Sequence, residues 1–326
     1  MKKVLIAILL LGLLPHASAD YIHWVDFRLS APVLRSALEL DMASQGGEQP
    51  LDWIDILALA AAWRGGTGVT VADTHRAAQA LRGDTPPERL PGMAGRCFSY
   101  YRAAYGAALG GLVGHFAIRR TDPQTGEAEW IPAYGLKAFS PIAAGYPWSH
   151  YPDFGAQRSY GYARPHLGND ILGALGTPIC AVEGGTVEAL GWNRYGGWRI
   201  GIRSDDRKRY YYYAHLRKDT PYAEGLAVGQ RVQAGDVIGF MGRTGYSAQE
   251  NVNNIETVHL HFGLQLIFDE SQKECDSEIW IDVYSIIELL ASHCSSVARD
   301  PQTGRWERLY PYCDLDAEPH RSAAAR

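Results

Sequence analysis

From about Phe139 the chain abandons helical spacing for short apolar runs divided by glycines, and this texture persists to Phe268. Pro178–Val182, Gly185–Leu190, Trp198–Ile202, Arg209–His215, Val237–Phe240 and Val258–Ile267 have strand length and strand composition. No long helical pattern interrupts them. Chain of this kind buries its apolar side chains by pairing strands, so it predicts a mostly antiparallel, sandwich-like β-domain.

The segment before it has the other period. Pro32–Met42, Leu51–Trp63 and Asp73–Leu81 place apolar residues at three- and four-residue intervals, which predicts helices, and the small, aromatic stretch Phe98–Val113 predicts a buried one. Asp52 and Asp73 stand near helix starts, and Gly65-Gly66 ends the second helix. Trp24, Trp53 and Trp63 read as core. Residues 115–135 predict a hairpin turning at Asp122-Pro123-Gln124-Thr125-Gly126, a string that recurs at Asp300–Gly304 between unlike flanks and so reads as a shared turn. Ile279–Leu290 predicts one packing helix. The expected fold class is α+β: a helical N-terminal domain, a mostly antiparallel β-sheet and a C-terminal helix. The expected divisions are a signal peptide over 1–19, the helical domain over 20–135, a connecting segment over 136–159, the β-domain over 160–268 and an extension over 269–326.

Lys2 and Lys3, the apolar run Val4–Leu14 and the small residues Ala17-Ser18-Ala19 form a targeting pattern. The run is shorter than the roughly 20 residues a membrane span needs. It predicts export to the periplasm, the cell wall or the medium, with the mature chain starting at Asp20 and no stable membrane insertion after cleavage; an uncleaved anchor is the alternative. A net charge of −5 without a long basic run gives no reason to expect a nucleic-acid partner. Five cysteines, an odd number, allow one disulfide within Cys275, Cys294 and Cys313, while Cys180 in its apolar run reads as a buried thiol. None has zinc-finger spacing, so a metal site must rest on histidine and aspartate.

The β-half supplies both in three clusters: His166-Leu167-Gly168-Asn169-Asp170, Ala214-His215-Leu216 and His259-Leu260-His261-Phe262. On a strand, residues two apart share a face, so His259 and His261 lie side by side while Leu260 and Phe262 face the core. His166 and Asp170, four apart, fall on one face of a strand as well, and Gly168 between them disfavours a helix. Imidazole nitrogen with one carboxylate oxygen is a donor mixture that suits zinc, and the remaining imidazoles can carry protons.

Residues 160–268 resemble the LytM/lysostaphin-type zinc endopeptidases, which cut cell-wall peptides. The matching strings are His166-x-Gly168-x-Asp170, Gly176-Thr177-Pro178-Ile179 with Gly185-Thr186-Val187, and Tyr213-Ala214-His215-Leu216. They continue with Val232-Gln233-Ala234-Gly235-Asp236-Val237-Ile238-Gly239, Gly242-Arg243-Thr244-Gly245 and His259-Leu260-His261-Phe262. The resemblance implies one Zn2+ per chain held by His166, Asp170 and His261, with His215 and His259 as catalytic residues lining the cleft. It implies a peptidoglycan peptide as substrate and an exported metalloendopeptidase as the function. A catalytically inactive wall-binding scaffold that activates a partner hydrolase is the rival, and it predicts a broken ligand set. Two departures stand out: the polar stretch Tyr246–Val258 before the His-x-His strand, and Gly263 where the family tends to have Glu. Tyr195, Trp192 and Trp198 beside Gly196-Gly197, and Tyr160 with Tyr162, are candidate substrate contacts, the last two as phenols for an oxyanion. Asp205-Asp206-Arg207-Lys208-Arg209 reads as a solvated hairpin tip.

Overall fold

The computed structural model describes residues 21–273 and 277–317; the targeting segment and Cys275 lie outside the described residues. Four helices come first: α1 (Ala31–Ser44), α2 (Trp53–Arg64), α3 (Val71–Leu81) and α4 (Met93–Leu109). Asp52 caps α2 by accepting from Ile54 N, and Gly65 closes it at φ 65°, a conformation glycine adopts without penalty. Asp73 stands one turn deeper than a cap. Thr70 caps α3, and the Asp73 carboxylate reaches back to Thr70 N at 2.9 Å, completing a capping box. α4 stops at Leu109 rather than Val113, because Gly110-Gly111 break it and Val113 opens a strand. Trp53 is buried and Trp63 is half-buried, with the Arg76 guanidinium 4.2 Å above its ring. Trp24, expected in the core, is 64% exposed.

β1 (Val113–Thr121) and β2 (Ala128–Leu136) form the hairpin, with Asp122 Oδ1 accepting from Gln124 N and Thr125 N at its tip. Short strands β3 (Trp148–His150), β4 (Gln157–Arg158) and β5 (Arg164–Pro165) lead into β6 (Asn169–Gly173) and β7 (Pro178–Cys180). There follow β8 (Gly185–Asn193), β9 (Gly197–Ser204), β10 (Arg209–Ala214), β11 (Arg231–Val232), β12 (Val237–Phe240) and β13 (His259–Leu266). The main sheet runs β11-β8-β9-β10-β13-β6-β3 with every neighbour antiparallel, and β4 pairs β5 and β7 pairs β12 as separate ribbons. No barrel closes among the described strands.

The C-terminal helix is shorter than its apolar spacing suggests. Ile279–Trp280 is strand β14, captured by the end of β13 (Gln265↔Trp280), and α5 spans only Tyr284–Leu290. β15 (Val297–Arg299) and β16 (Trp306–Arg308) flank the second Asp-Pro-Gln-Thr-Gly string, where Asp300 Oδ1 accepts from Gln302 N and Thr303 N as Asp122 does in its own turn. β17 (Tyr312–Asp314) returns to pair with β1. Cys97, Cys180, Cys294 and Cys313 are free, so Cys294 and Cys313 are not joined. Burial pushes the Cys180 thiol up to about 12.

One apolar cluster runs unbroken from Leu34, Leu57 and Leu109 of the helices to Val182, Ile202, Tyr213 and Phe262 of the sheet, and on to Ile286 and Leu290 of α5. At the same junction lies a polar knot that the charged string 205–209 concealed. Arg209, only 1% exposed, pairs with Glu183 through Nε (2.7 Å) and Nη2 (3.1 Å). It also donates to Asp206 and to the carbonyls of Gly106 and Ala107 in the last turn of α4. Tyr211 adds a 2.6 Å bond to Glu183. Arg209 is therefore an interior residue and not part of a solvated tip. The reason is the helix end: Gly106 O already accepts from Gly110 N, but the Ala107 carbonyl takes its hydrogen bond from Arg209.

Candidate active site

The site begins with sheet register. On β13, Leu260 and Phe262 are buried in the core, while His259 and His261 project from the other face. His261 stands opposite Asp170 of β6 on one side and opposite Ala214 of β10 on the other. His166 does not share a strand face with Asp170, because β6 starts only at Asn169. It comes from the bend after β5, held by His166 N to Ala156 O (2.8 Å) and Gly155 N to His166 O (2.7 Å). Gly168 makes the bend possible: a Cβ there would lie 2.7 Å from Cε1 and 2.8 Å from Nε2 of His261.

Three donor atoms converge. His166 Nε2 lies 2.7 Å from His261 Nδ1 and 3.0 Å from Asp170 Oδ1, and His261 Nδ1 lies 3.2 Å from that same oxygen. Metal bonds of about 2.0–2.1 Å in a tetrahedral shell require edges of roughly 3.3 Å. The triangle is tighter than that on every side, most on the 2.7 Å edge between the imidazoles, so two nitrogens and one oxygen fit a divalent metal such as zinc once the two rings move apart by about half an ångström.

Two residues the sequence did not flag support the triangle. Asp153, buried, accepts from His166 Nδ1 at 3.1 Å on both its carboxylate and its carbonyl, which aims Nε2 at the site. Arg158 donates to Asp153 Oδ2 (3.0 Å) and to Asp170 Oδ2 (2.8 Å), so only Oδ1 of Asp170 faces the imidazoles. Burial works against charge on both His166 and Asp170, but their hydrogen bonds prevail. Asp153 and Asp170 raise His166 to about 9, and His166 and His261 hold Asp170 far below the usual carboxylate range. Burial lowers His261, and the neighbouring His166 and His259 push the same way against Asp170.

His215 and His259 complete the constellation. β10 ends at Ala214, and His215 takes the left-handed backbone at φ 61°, unusual for a side chain this size. Its amide donates to Gly196 O at 2.7 Å, and its Nδ1 donates to Thr244 O at 2.9 Å, which leaves Nε2 without a proton. Burial, then the charges of His259 and His261, lower its pKa well below the ordinary histidine value. His259 donates Nδ1–H to Thr257 O at 2.9 Å and places Nε2 3.7 Å from Asp170 Oδ1. The two rings meet edge to face with centroids 4.8 Å apart.

All five residues line one cleft of about 740 Å³. Tyr195 and Tyr246 line it too, and Tyr160 stacks behind Tyr246 at 4.6 Å between centroids. Trp192 is not brought there. Paired with Trp198 across β8 and β9, it packs on the opposite face and donates Nε1–H to Ser247 O. In β10, Tyr210 and Tyr212 border the cleft while Tyr211 and Tyr213 enter the core. Asn254–Thr257 of the inserted stretch forms part of one wall, and Asn251 anchors that stretch through Trp198 Nε1 (2.9 Å), Asp219 N (2.8 Å) and Asp219 Oδ1 (2.7 Å). Gly263 has a local cause: a Cβ would lie 2.8 Å from the Trp280 ring, which covers the position.

Residues 164–274 match peptidase family M23. Over 177 residues the chain is 35% identical to the L-Ala–D-Glu endopeptidase of Bacillus subtilis (strain 168), covering 51% of this chain and 52% of that protein. Over 98 residues it is 38% identical to the glycyl-glycine endopeptidase ALE-1 of Staphylococcus capitis, covering 30% and 24%. Among solved structures, the catalytic domain of the antimicrobial peptidase lysostaphin from Staphylococcus simulans is 31% identical, with a TM-score of 0.30, covering 37% of this chain and 80% of that one. The chain thus spans about half the length of the first relative and a quarter of the second.

Proposed function

Residues 164–274 being a LytM-type domain of peptidase family M23, we propose that the chain is an exported zinc metalloendopeptidase hydrolysing peptide bonds of bacterial peptidoglycan. The observation that carries this reading is the donor triangle His166, Asp170 and His261 in one cleft with two further imidazoles whose Nδ1 atoms each face a backbone carbonyl. Zinc held there would acidify a water and polarise the scissile carbonyl.

The chain's own groups do the rest. Arg158 keeps Asp170 a one-oxygen donor, and Asp153 fixes His166 in the tautomer that offers Nε2. His215, neutral and with Nε2 free, takes the proton from the attacking water. His259, its Nδ1 turned to Thr257 O and its Nε2 near the Asp170 carboxylate, steadies the developing oxyanion and serves the leaving amine as proton donor. Export puts this chemistry at the wall. Among the described residues no helix is long and apolar enough to cross a membrane.

Metal analysis of the purified protein, joined to peptide release from isolated peptidoglycan by wild type and His261→Ala, tests the reading. One bound zinc and release lost in the variant are expected. A metal-free protein, with release equal in both, overturns it.

A further inference from the structure

Arg199 occupies the same cleft and has no task in this chemistry. In the β9–β10 ladder Tyr213 faces Ile200, so the next step brings Arg199 beside Ala214, which itself faces His261, which faces Asp170. Asp170, His261, Ala214 and Arg199 therefore form one row across four strands. At about 4.7–4.9 Å per strand, the Arg199 backbone lies roughly 10 Å from that of His261, with Ala214 in the row between them and the Tyr212 ring, edge to face with His261, beside it. The Arg199 side chain lines the cleft, its Nε is buried without a hydrogen-bond partner, and no carboxylate among the described residues forms an ion pair with it. The other cleft cations are engaged. Arg158 holds Asp153 and Asp170, Lys273 holds Glu188, and Arg164 donates to Tyr160 O while lying over the rings of Tyr162, Tyr195 and Tyr246.

A half-buried guanidinium without a counter-ion is costly unless an anion completes it, and its planar fork matches a carboxylate. We propose that Arg199 binds a free carboxylate of the peptide substrate, one or two residues from the bond that is cut. The span supports this: a peptide advances about 3.3–3.6 Å per residue, so two strand spacings, roughly 10 Å, place the row of Arg199 within about three residues of the donor triangle. The inference rests on the peptidase reading and narrows it to acidic peptides, such as a bond beside a glutamyl residue with its carboxylate free, and away from bonds between glycines.

The test uses the full-length, zinc-loaded protein and two synthetic peptides, L-Ala–D-Glu–L-Lys with the free glutamyl carboxylate either intact or amidated. Hydrolysis is measured for wild type, Arg199→Gln and Arg199→Lys. Calorimetric titration with the product D-Glu–L-Lys and its amidated form reads the same contact without turnover. Wild type is expected to favour the free carboxylate by about tenfold or more in kcat/KM and in product affinity, as for a charge-assisted hydrogen bond. Arg199→Gln should erase that preference by slowing the free-carboxylate peptide about tenfold more than the amidated one, and Arg199→Lys should restore part of it. No preference in wild type, or equal slowing of both peptides by Arg199→Gln, overturns the proposal. If wild type cuts neither peptide, the peptidase reading fails on these substrates while the titration still decides whether Arg199 holds a carboxylate.

Discussion

Arg209→Met should destabilise the protein by about 3–5 kcal/mol, the usual consequence of removing one partner from a buried ion pair. The magnitude follows from what is left behind. Glu183 keeps only the Tyr211 hydroxyl as a side-chain partner at a carboxylate 10% exposed, and the Ala107 carbonyl loses its donor while Gly106 O keeps the Gly110 amide. At about 2–4 °C per kcal/mol for a chain of this size class, the unfolding midpoint falls by roughly 10 °C. Chemical denaturation followed by both circular dichroism and tryptophan fluorescence measures the loss and checks that one transition is seen. Glu183→Gln with Arg209→Met completes a cycle, and removing both charges should recover about 1–3 kcal/mol relative to the sum of the single losses. A single-variant loss under about 1 kcal/mol, or strict additivity, would refute the argument that Arg209 is an obligatory partner of Glu183.

Three further outcomes are expected. Asp153→Asn should weaken zinc binding about 10–100-fold in competition with a chelator, and unchanged affinity would remove Asp153 from the support of His166. Gly168→Ala should displace the His261 ring and depress both zinc content and hydrolysis while the fold persists by circular dichroism; full zinc content would contradict the close approach at this bend. Asp73→Ala should cost about 1 kcal/mol at neutral pH through the lost capping box. Burial opposes charge on Asp73, but Thr70 and Arg64 outweigh it and lower its pKa below 3.8, so its stabilisation is complete above that value and vanishes as pH falls through the folded pKa. The gap between wild type and variant should therefore close only in acid, and a constant gap down to pH values well below 3.8 would count against it.

The His-x-His pair was legible because a strand's period of two survives any tertiary context. The order of strings around it placed the sheet as well. What escaped sequence depended on neighbours. His166 and Asp170 look like strand mates by parity, but only the bend at Gly168, packed against the His261 ring, shows that the first comes from outside the strand. Asp153 and Arg158 obey no period relative to His166; the β4–β5 ribbon folds them in. Trp192 belongs to an aromatic group whose face is set by its pairing with Trp198, which the residues alone do not orient. Arg209 sits in a charged string that reads as solvated until the end of α4 is docked on it. At 279–280 the edge of β13 overrode helical spacing.

The anchor at Asn251 has a wider consequence. It fastens the inserted stretch to an indole on the rear of the sheet, so the cleft wall at Asn254–Thr257 is tied to β9. Substrate choice then becomes partly a property of residues that no substrate meets: altering Trp198 behind the sheet shifts the wall in front of it.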